Sequence, residues 1–157
     1  PESLDHHKRP LTGQDTVHLC DVMRGKVVLV VNTASKCAYT PQYDGLEKLY
    51  ERYRERGLLV VGFPSNDFAG QEPGSEKQIH DFCRLTYGVE FPMFEKVHVK
   101  GKSIDSFYDY LARQTGESPR WNFHKYLLDR DGRVIASFPS QVKPDDRRLI
   151  GMIEDLL

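Results

Sequence analysis

Two short runs of β-branched and other apolar residues, separated by a segment with helical periodicity, constrain the fold of this chain more than any other feature. The first run is KVVLVVN at residues 26–32, and the second is LLVVGF at residues 58–63. Continuous apolar runs of this length are typical of strands buried on both faces of a sheet. Between them, apolar residues recur at the spacing of one helix face, namely Leu46, Leu49, Tyr50 and Tyr53. Strand, helix and strand in this order predict a parallel βαβ unit with a right-handed crossover.

The ends of the predicted helices follow from their flanking residues. Thr40 is predicted as the N-cap of the first helix and Pro41 as its first helical residue, because these residue types suit those two positions. Gly57 is predicted to end that helix. Further along, Ser75 and Gln78 have the spacing of a capping box, which predicts the start of a second helix.

The rest of the chain predicts two more helices and a hairpin. Residues 105–113 have a helical pattern, and Pro144 is predicted to begin a terminal helix with an apolar inner face. The segments 125–128 and 133–138 flank a DRDG turn, which indicates an antiparallel hairpin. The sequence therefore predicts an α/β fold in one domain (1–157), with a central mixed β-sheet and helices on both faces.

Composition argues against several classes of function. The chain has 23 acidic and 22 basic residues, so no overall field would attract nucleic acid or an anionic membrane. No apolar run approaches the roughly 20 residues that a membrane-spanning helix needs. The chain begins at Pro1 without an initiator Met, which leaves open the removal of a leader peptide. A cytoplasmic and an exported, periplasmic location are therefore both kept as expectations.

The chain has three cysteines, Cys20, Cys37 and Cys83, which are too few and too widely spaced for a disulfide scaffold or a four-ligand zinc site. The adjacent residues His6 and His7 are the alternative indication of a metal, but no converging ligands accompany them. We therefore predict neither a metal nor an organic cofactor and consider the chemistry of the thiols themselves.

Cys37 follows the carboxyl end of the first predicted strand and precedes the first helix by a few residues. Open α/β sheets bind ligands at this edge, and a helix N-terminus supplies free N–H groups and partial positive charge. Both features favour the thiolate, which is the nucleophilic form of cysteine. From position alone, a small buried apolar residue is an equally good interpretation of Cys37.

Six short motifs, in a fixed order along the chain, decide between these interpretations. They are VVNTASKC at residues 30–37, TPQY at 40–43, GFPSNDF at 62–68, QEPG at 71–74, FPMF at 91–94 and WNFHKYL at 121–127. In content and order they resemble the glutathione peroxidase family, and the resemblance extends from about Gly25 to the end of the chain. It implies a thioredoxin-like fold and a catalytic tetrad of Cys37, Gln71, Trp121 and Asn122.

The residue types implied for the tetrad suit the reduction of a peroxide. Carboxamide and indole N–H groups can donate hydrogen bonds to a thiolate, and then to the hydroxide or alkoxide that leaves when the peroxide bond breaks. Taken singly, Trp121 would more commonly be a core aromatic residue, and Gln71 and Asn122 turn or solvated polar residues. The joint pattern predicts a thiol peroxidase that reduces hydrogen peroxide and organic hydroperoxides.

Two departures from many family members bear on the rest of the catalytic cycle. The active position holds cysteine rather than selenocysteine, which implies a slower first step, and Ser65 stands where many relatives have a cysteine. Cys83 lies where thioredoxin-dependent relatives have a resolving cysteine. The resemblance thus implies that Cys83 condenses with a Cys37 sulfenic acid to form a disulfide. The alternative is a core residue on the apolar face of its helix.

The expected reductant follows from the same resemblance. The segment between Tyr110 and Trp121 is short, as in monomeric members that lack the oligomerisation loop of the glutathione-using tetramers. We therefore expect a monomer that is recycled by thioredoxin. The alternatives are a glutathione-dependent one-cysteine peroxidase and a peroxide-sensing relay protein that passes oxidation to a partner. A disulfide exchanger on the same fold is disfavoured because the chain has no CxxC motif.

Overall fold

A four-stranded mixed sheet with surrounding helices organises residues 5–157, the part of the chain that the computed structural model describes. The strands are β1 (His7–Lys8), β2 (Val17–His18), β3 (Val27–Thr33), β4 (Leu58–Pro64), β5 (Lys125–Leu128) and β6 (Val134–Phe138). The helices are α1 (Leu19–Met23), α2 (Gln42–Tyr53), α3 (Glu76–Tyr87), α4 (Ser106–Thr115) and α5 (Arg147–Leu156). None of these helices is both long and apolar enough to cross a membrane.

The order of strands in the main sheet is β4–β3–β5–β6. Strand β3 pairs in parallel with β4 and antiparallel with β5, and β5 pairs antiparallel with β6. The predicted βαβ unit, the hairpin and the interior position of the first apolar run are thereby confirmed. Every residue of β3, β4 and β5 is buried, which is why β3 and β4 have largely apolar sequences rather than alternating ones.

The start of α3 confirms the predicted capping box. The Ser75 hydroxyl accepts a hydrogen bond from the Gln78 backbone N–H, and the Gln78 side chain accepts one from the Ser75 N–H. Gly88 ends the helix in the left-handed conformation, with φ of 61°. Both ends of α3 are thus closed by local hydrogen bonds.

Two predicted helix starts were wrong. Helix α2 begins at Gln42, and Thr40 does not cap it because its hydroxyl is hydrogen-bonded to the Cys37 N–H and the Ala34 carbonyl instead. Helix α5 begins at Arg147, and its cap is the Asp146 carboxylate, which accepts hydrogen bonds from two N–H groups of the first turn. At α2 the predicted cap binds the preceding loop instead, and at α5 the Asp146 cap sets the start two residues beyond Pro144.

Candidate active site

Cys37 lies in the loop between β3 and α2, at the carboxyl end of β3. The loop is fixed by the Thr40 hydroxyl, which accepts from the Cys37 N–H at 2.8 Å and donates to the Ala34 carbonyl at 2.9 Å. The Lys36 N–H donates to the Gln71 carbonyl oxygen at 3.0 Å. Only 7% of Cys37 is exposed, and its Sγ accepts a hydrogen bond from the Tyr39 N–H at 3.3 Å. The sequence did not predict that the Tyr39 N–H binds the Cys37 sulfur, or that the Thr40 hydroxyl fixes this loop.

Gln71 and Asn122 are in direct contact. The Asn122 Nδ2 donates to the Gln71 Oε1 at 3.0 Å, which leaves the Gln71 Nε2 group available as a donor. Asn122 is fully buried and Gln71 half-buried. Just before Gln71, Ala69 and Gly70 both have left-handed backbone conformations, with φ of 56° and 61°, which turn the chain sharply. Gln71 therefore meets the Cys37 loop through its main chain and Asn122 through its side chain.

Trp121 precedes Asn122 and lies half-buried against the ring of Phe68, with the ring centroids 5.7 Å apart. Its carbonyl oxygen accepts a hydrogen bond from the Asn32 Nδ2 at 3.0 Å. Among residues 5–157, no hydrogen bond joins a side chain of Trp121, Gln71 or Asn122 to the Cys37 sulfur. The structure thus brings the three predicted donors onto two adjoining segments, and it joins one of those segments to the Cys37 loop.

A cavity of about 600 Å³ opens beside Trp121 and is also lined by Tyr39, His124 and Ser140. Burial, with the neighbouring Lys125 and Arg120 charges, lowers the pKa of His124 to about 4. The imidazole is therefore neutral at pH 7, and its Nε2 lies 2.6 Å from a serine hydroxyl. This space leads to the side of the Cys37 loop that carries Tyr39.

Cys83 has a very different environment, in the middle of α3. It is 2% exposed, and burial raises the pKa of its thiol to about 11; the Tyr43 hydroxyl opposes that increase, and the Glu72 carboxylate adds to it. Cys37 and Cys83 are both free thiols. The Cys83 carbonyl accepts the Val89 N–H at 3.1 Å within the C-terminal closure of the helix. The thiol is therefore protonated at neutral pH and lies on the buried face of an intact helix.

Cys20 and a cluster of three glutamates lie apart from the candidate active site residues. Cys20 belongs to α1, where its sulfur accepts a hydrogen bond from the Arg24 guanidinium at 2.8 Å. Within the described residues, one group of side chains is close enough to surround a cation, Glu47, Glu51 and Glu90, with ligand oxygens within 4.8 Å of one another. Glu47 there accepts the backbone N–H groups of residues 90 and 91, which anchors the loop after α3.

The amino-acid sequence is similar to those of a known protein family. The sequence model of the glutathione peroxidase family matches residues 5–112. A glutathione peroxidase of Lactococcus lactis subsp. cremoris is 48% identical over 136 residues, which cover 84% of this chain and 86% of the relative. Glutathione peroxidase-like peroxiredoxin 2 of Saccharomyces cerevisiae is 49% identical over 129 residues, covering 79% and 80%.

A solved structure agrees with the sequence relatives. The crystal structure of Trgpx in apo form matches this chain with a TM-score of 0.78 and 31% identity, covering 98% of this chain and 94% of that one. The predicted thioredoxin-like fold is therefore confirmed over nearly the whole length.

Proposed function

This chain belongs to the glutathione peroxidase family and is a peroxidase, and we propose that its reacting group is the Cys37 thiolate, with Gln71, Trp121 and Asn122 as the surrounding donors. The observation that carries this assignment is the hydrogen-bonded connection of the three segments. Asn122 binds the Gln71 side chain, and the Gln71 carbonyl binds the Lys36 N–H next to Cys37. A connected donor set beside a nucleophile is what the cleavage of a peroxide bond requires.

In the first step, the Cys37 thiolate attacks the terminal oxygen of the hydroperoxide. The S–O bond forms as the O–O bond breaks, and the departing alkoxide or hydroxide takes a proton to become an alcohol or water. The sulfur is left as a sulfenic acid. The Gln71 Nε2, which has no acceptor among residues 5–157, and the Trp121 indole N–H supply hydrogen bonds to the oxygen that gains charge.

In the second step, we propose that Cys83 resolves the sulfenic acid. Its thiol loses a proton, an S–S bond to Cys37 forms, and the hydroxide leaves as water; thioredoxin then reduces the disulfide to two thiols. The name of the yeast relative, a glutathione peroxidase-like peroxiredoxin, supports a thioredoxin-type reductant. Cys83 is 2% exposed on the buried face of α3, so the proposed cycle includes local opening of this helix before the two sulfurs bond. The protein acts as a monomer in this proposal.

The test measures peroxide consumption with two recycling systems, thioredoxin with its reductase and NADPH, or glutathione with its own reductase. The parent protein should turn over with thioredoxin, and Cys83→Ser should consume about one equivalent of peroxide and then stop, because Cys37 is untouched. Mass spectrometry should show a peptide linking Cys37 and Cys83 in the oxidised parent protein. In Cys83→Ser it should show added oxygens on Cys37.

Cys20→Ser is the matched control and should cycle normally, because this thiol lies on α1. If Cys83→Ser cycles normally with thioredoxin, Cys83 is a core residue. If the parent protein cycles only with glutathione, the one-cysteine, glutathione-dependent peroxidase is the correct assignment. A protein that reacts once and turns over with neither reductant would instead be the peroxide-sensing relay.

A further inference from the structure

The segment containing Trp121 and Asn122 is fixed from one side by a single residue of β3. The Asn32 Nδ2 donates to the Trp121 carbonyl at 3.0 Å, and the Asn32 carbonyl accepts the Phe123 N–H at 2.7 Å. Asn32 is fully buried in the central strand. Its side chain and its main chain thus hold the residues immediately before and after Asn122.

Phe123 has a backbone conformation that a large residue rarely adopts. Its φ is 66°, in the left-handed region, although it is fully buried and not glycine. Such conformations persist where the surrounding structure over-determines them, and they cluster at functional sites. The turn at Phe123 lies between Asn122, whose side chain binds Gln71, and the start of β5.

Lys125 holds the other side of this turn. Its Nζ donates to the Phe123 carbonyl at 2.6 Å and lies 3.5 Å from the Ser140 carbonyl. The same Ser140 carbonyl accepts the Gln42 Nε2 at 2.8 Å, and Gln42 is the first residue of α2. The lysine therefore connects the strained turn, through a shared acceptor, to the helix that follows the Cys37 loop.

Burial of the Lys125 side chain destabilises the folded protein unless its hydrogen bonds at the Phe123 turn compensate. The side chain is fully buried, and within residues 5–157 no carboxylate forms an ion pair with it. Burial of an ammonium group without an opposite charge disfavours the folded state, and it lowers the pKa of Lys125 to about 7. An apolar residue of similar length would fit the same space without that penalty.

We propose that Asn32 and Lys125 are positioning residues, which hold the main chain on either side of Asn122 and thereby aim its amide at Gln71. Neither residue reaches the Cys37 sulfur by a hydrogen bond, so each acts through Asn122. This inference rests on the donor role proposed above for Gln71 and Asn122.

The test compares two reactions of Cys37 in Lys125→Met and in Asn32→Leu, both of which remove a donor while keeping the approximate volume. The rate of sulfenic acid formation with hydrogen peroxide should fall about ten- to a hundredfold, because displaced donors no longer meet the departing oxygen. Alkylation of Cys37 by iodoacetamide should change less than about twofold, because no oxygen departs in that reaction. A general disturbance of the fold would change both rates together.

A second measurement asks whether the effect passes through Asn122. In an Asn122→Ala background, Lys125→Met and Asn32→Leu should add little to the loss already present, because residues acting as a unit are not additive. Leu127→Met is the control: this buried residue lies on the same strand and makes no bond to the Phe123 turn. It should leave both reactions unchanged.

The outcomes separate this inference from the assignment on which it rests. Peroxide rates unchanged in folded Lys125→Met and Asn32→Leu, equal losses in both reactions, or fully additive effects with Asn122→Ala would overturn the positioning role. If Asn122→Ala itself reacts at the parent rate, the donor assignment of Asn122 is wrong, and the positioning role falls with it. The variants lie on opposite sides of the turn, so either one alone provides the test if the other fails to fold.

Discussion

Cys37 and Cys83 are chemically the same residue in two opposite settings. Cys37 lies in a loop at a sheet edge, where the Tyr39 N–H reaches its sulfur and a cavity opens nearby. Cys83 lies on the buried face of the capped helix α3, and burial raises the pKa of its thiol to about 11.

The difference fits the separate roles proposed for the two thiols. A loop thiol with a backbone donor at its sulfur suits reaction with a peroxide, whereas a protonated thiol on the buried face of a helix is protected from it. In the proposed cycle, Cys83 becomes reactive only when α3 opens, which separates the two steps in time. The following predictions remove or alter this contrast, beginning with the largest effect.

Cys37→Ser should abolish peroxide reduction while the fold is retained, because a serine hydroxyl is not ionised at neutral pH and is a poor nucleophile without a base. The measurement is peroxide consumption under single-turnover conditions, with circular dichroism as the check on folding. A substantial remaining rate would mean that Cys83 or Cys20 reduces peroxide directly and that the contrast between the thiols is false.

Gln71→Ala should slow oxidation of Cys37 by about a hundred- to a thousandfold, since loss of one preorganised donor typically has an effect of that size. Trp121→Phe should lie in the same range because it removes the indole donor and keeps the ring packed on Phe68. Stopped-flow measurement of sulfenic acid formation gives the rates. An unchanged rate in either variant removes that residue from the donor set.

Gly88→Ala should speed the second step about fivefold. A non-glycine residue in the left-handed conformation destabilises the end of α3 by about 1 kcal/mol, which favours the open helix that Cys83 needs. Disulfide formation is followed after a single addition of peroxide. Gly116→Ala is the matched control, because Gly116 ends α4 with φ of 71° and an added Cβ meets nothing within 4 Å at either glycine. Equal effects of the two changes would argue against opening at α3.

The buried thiol should also appear in the dependence of stability on pH. The pKa of Cys83 is raised from 9.0 to about 11 in the folded protein, so between these values the unfolded chain has lost the proton and the folded protein keeps it. Stability from this group is fully present below pH 9 and is lost as pH rises toward 11. By pH 10 the parent should lose about 1 kcal/mol more than Cys83→Ser, measured by urea unfolding. Identical curves would contradict the burial of this thiol.

The main elements of the fold could be predicted because their causes are local. Apolar runs fixed β3 and β4, and the Ser75 and Gln78 pair fixed the start of α3. Thr40 shows where local rules stop, since its hydroxyl can cap a helix or hold a loop, and only the folded position of Ala34 decides between them.

The motifs predict the candidate site as a set of residues, and they do not predict its geometry. The motifs place Gln71 and Asn122 fifty-one positions apart, and nothing in the sequence shows that their side chains meet. Lys125 was missed because a lysine in a short apolar segment is normally interpreted as an exposed residue of an alternating strand. Its burial is visible only when the Phe123 turn and the Ser140 carbonyl are in place.

Main-chain N–H groups donate several of the hydrogen bonds in and around the Cys37 loop, namely those of Lys36, Tyr39 and Phe123. Every amino acid except proline carries such a donor, so these contacts do not depend on side-chain identity. Lys36 is exposed, and the half-exposed Tyr39 lines the cavity beside Trp121, so the side chains at positions 36 and 39 can be exchanged while these main-chain contacts remain. A library that varies them, with proline left out, would explore new hydroperoxide preferences while the loop that carries the nucleophile keeps its shape.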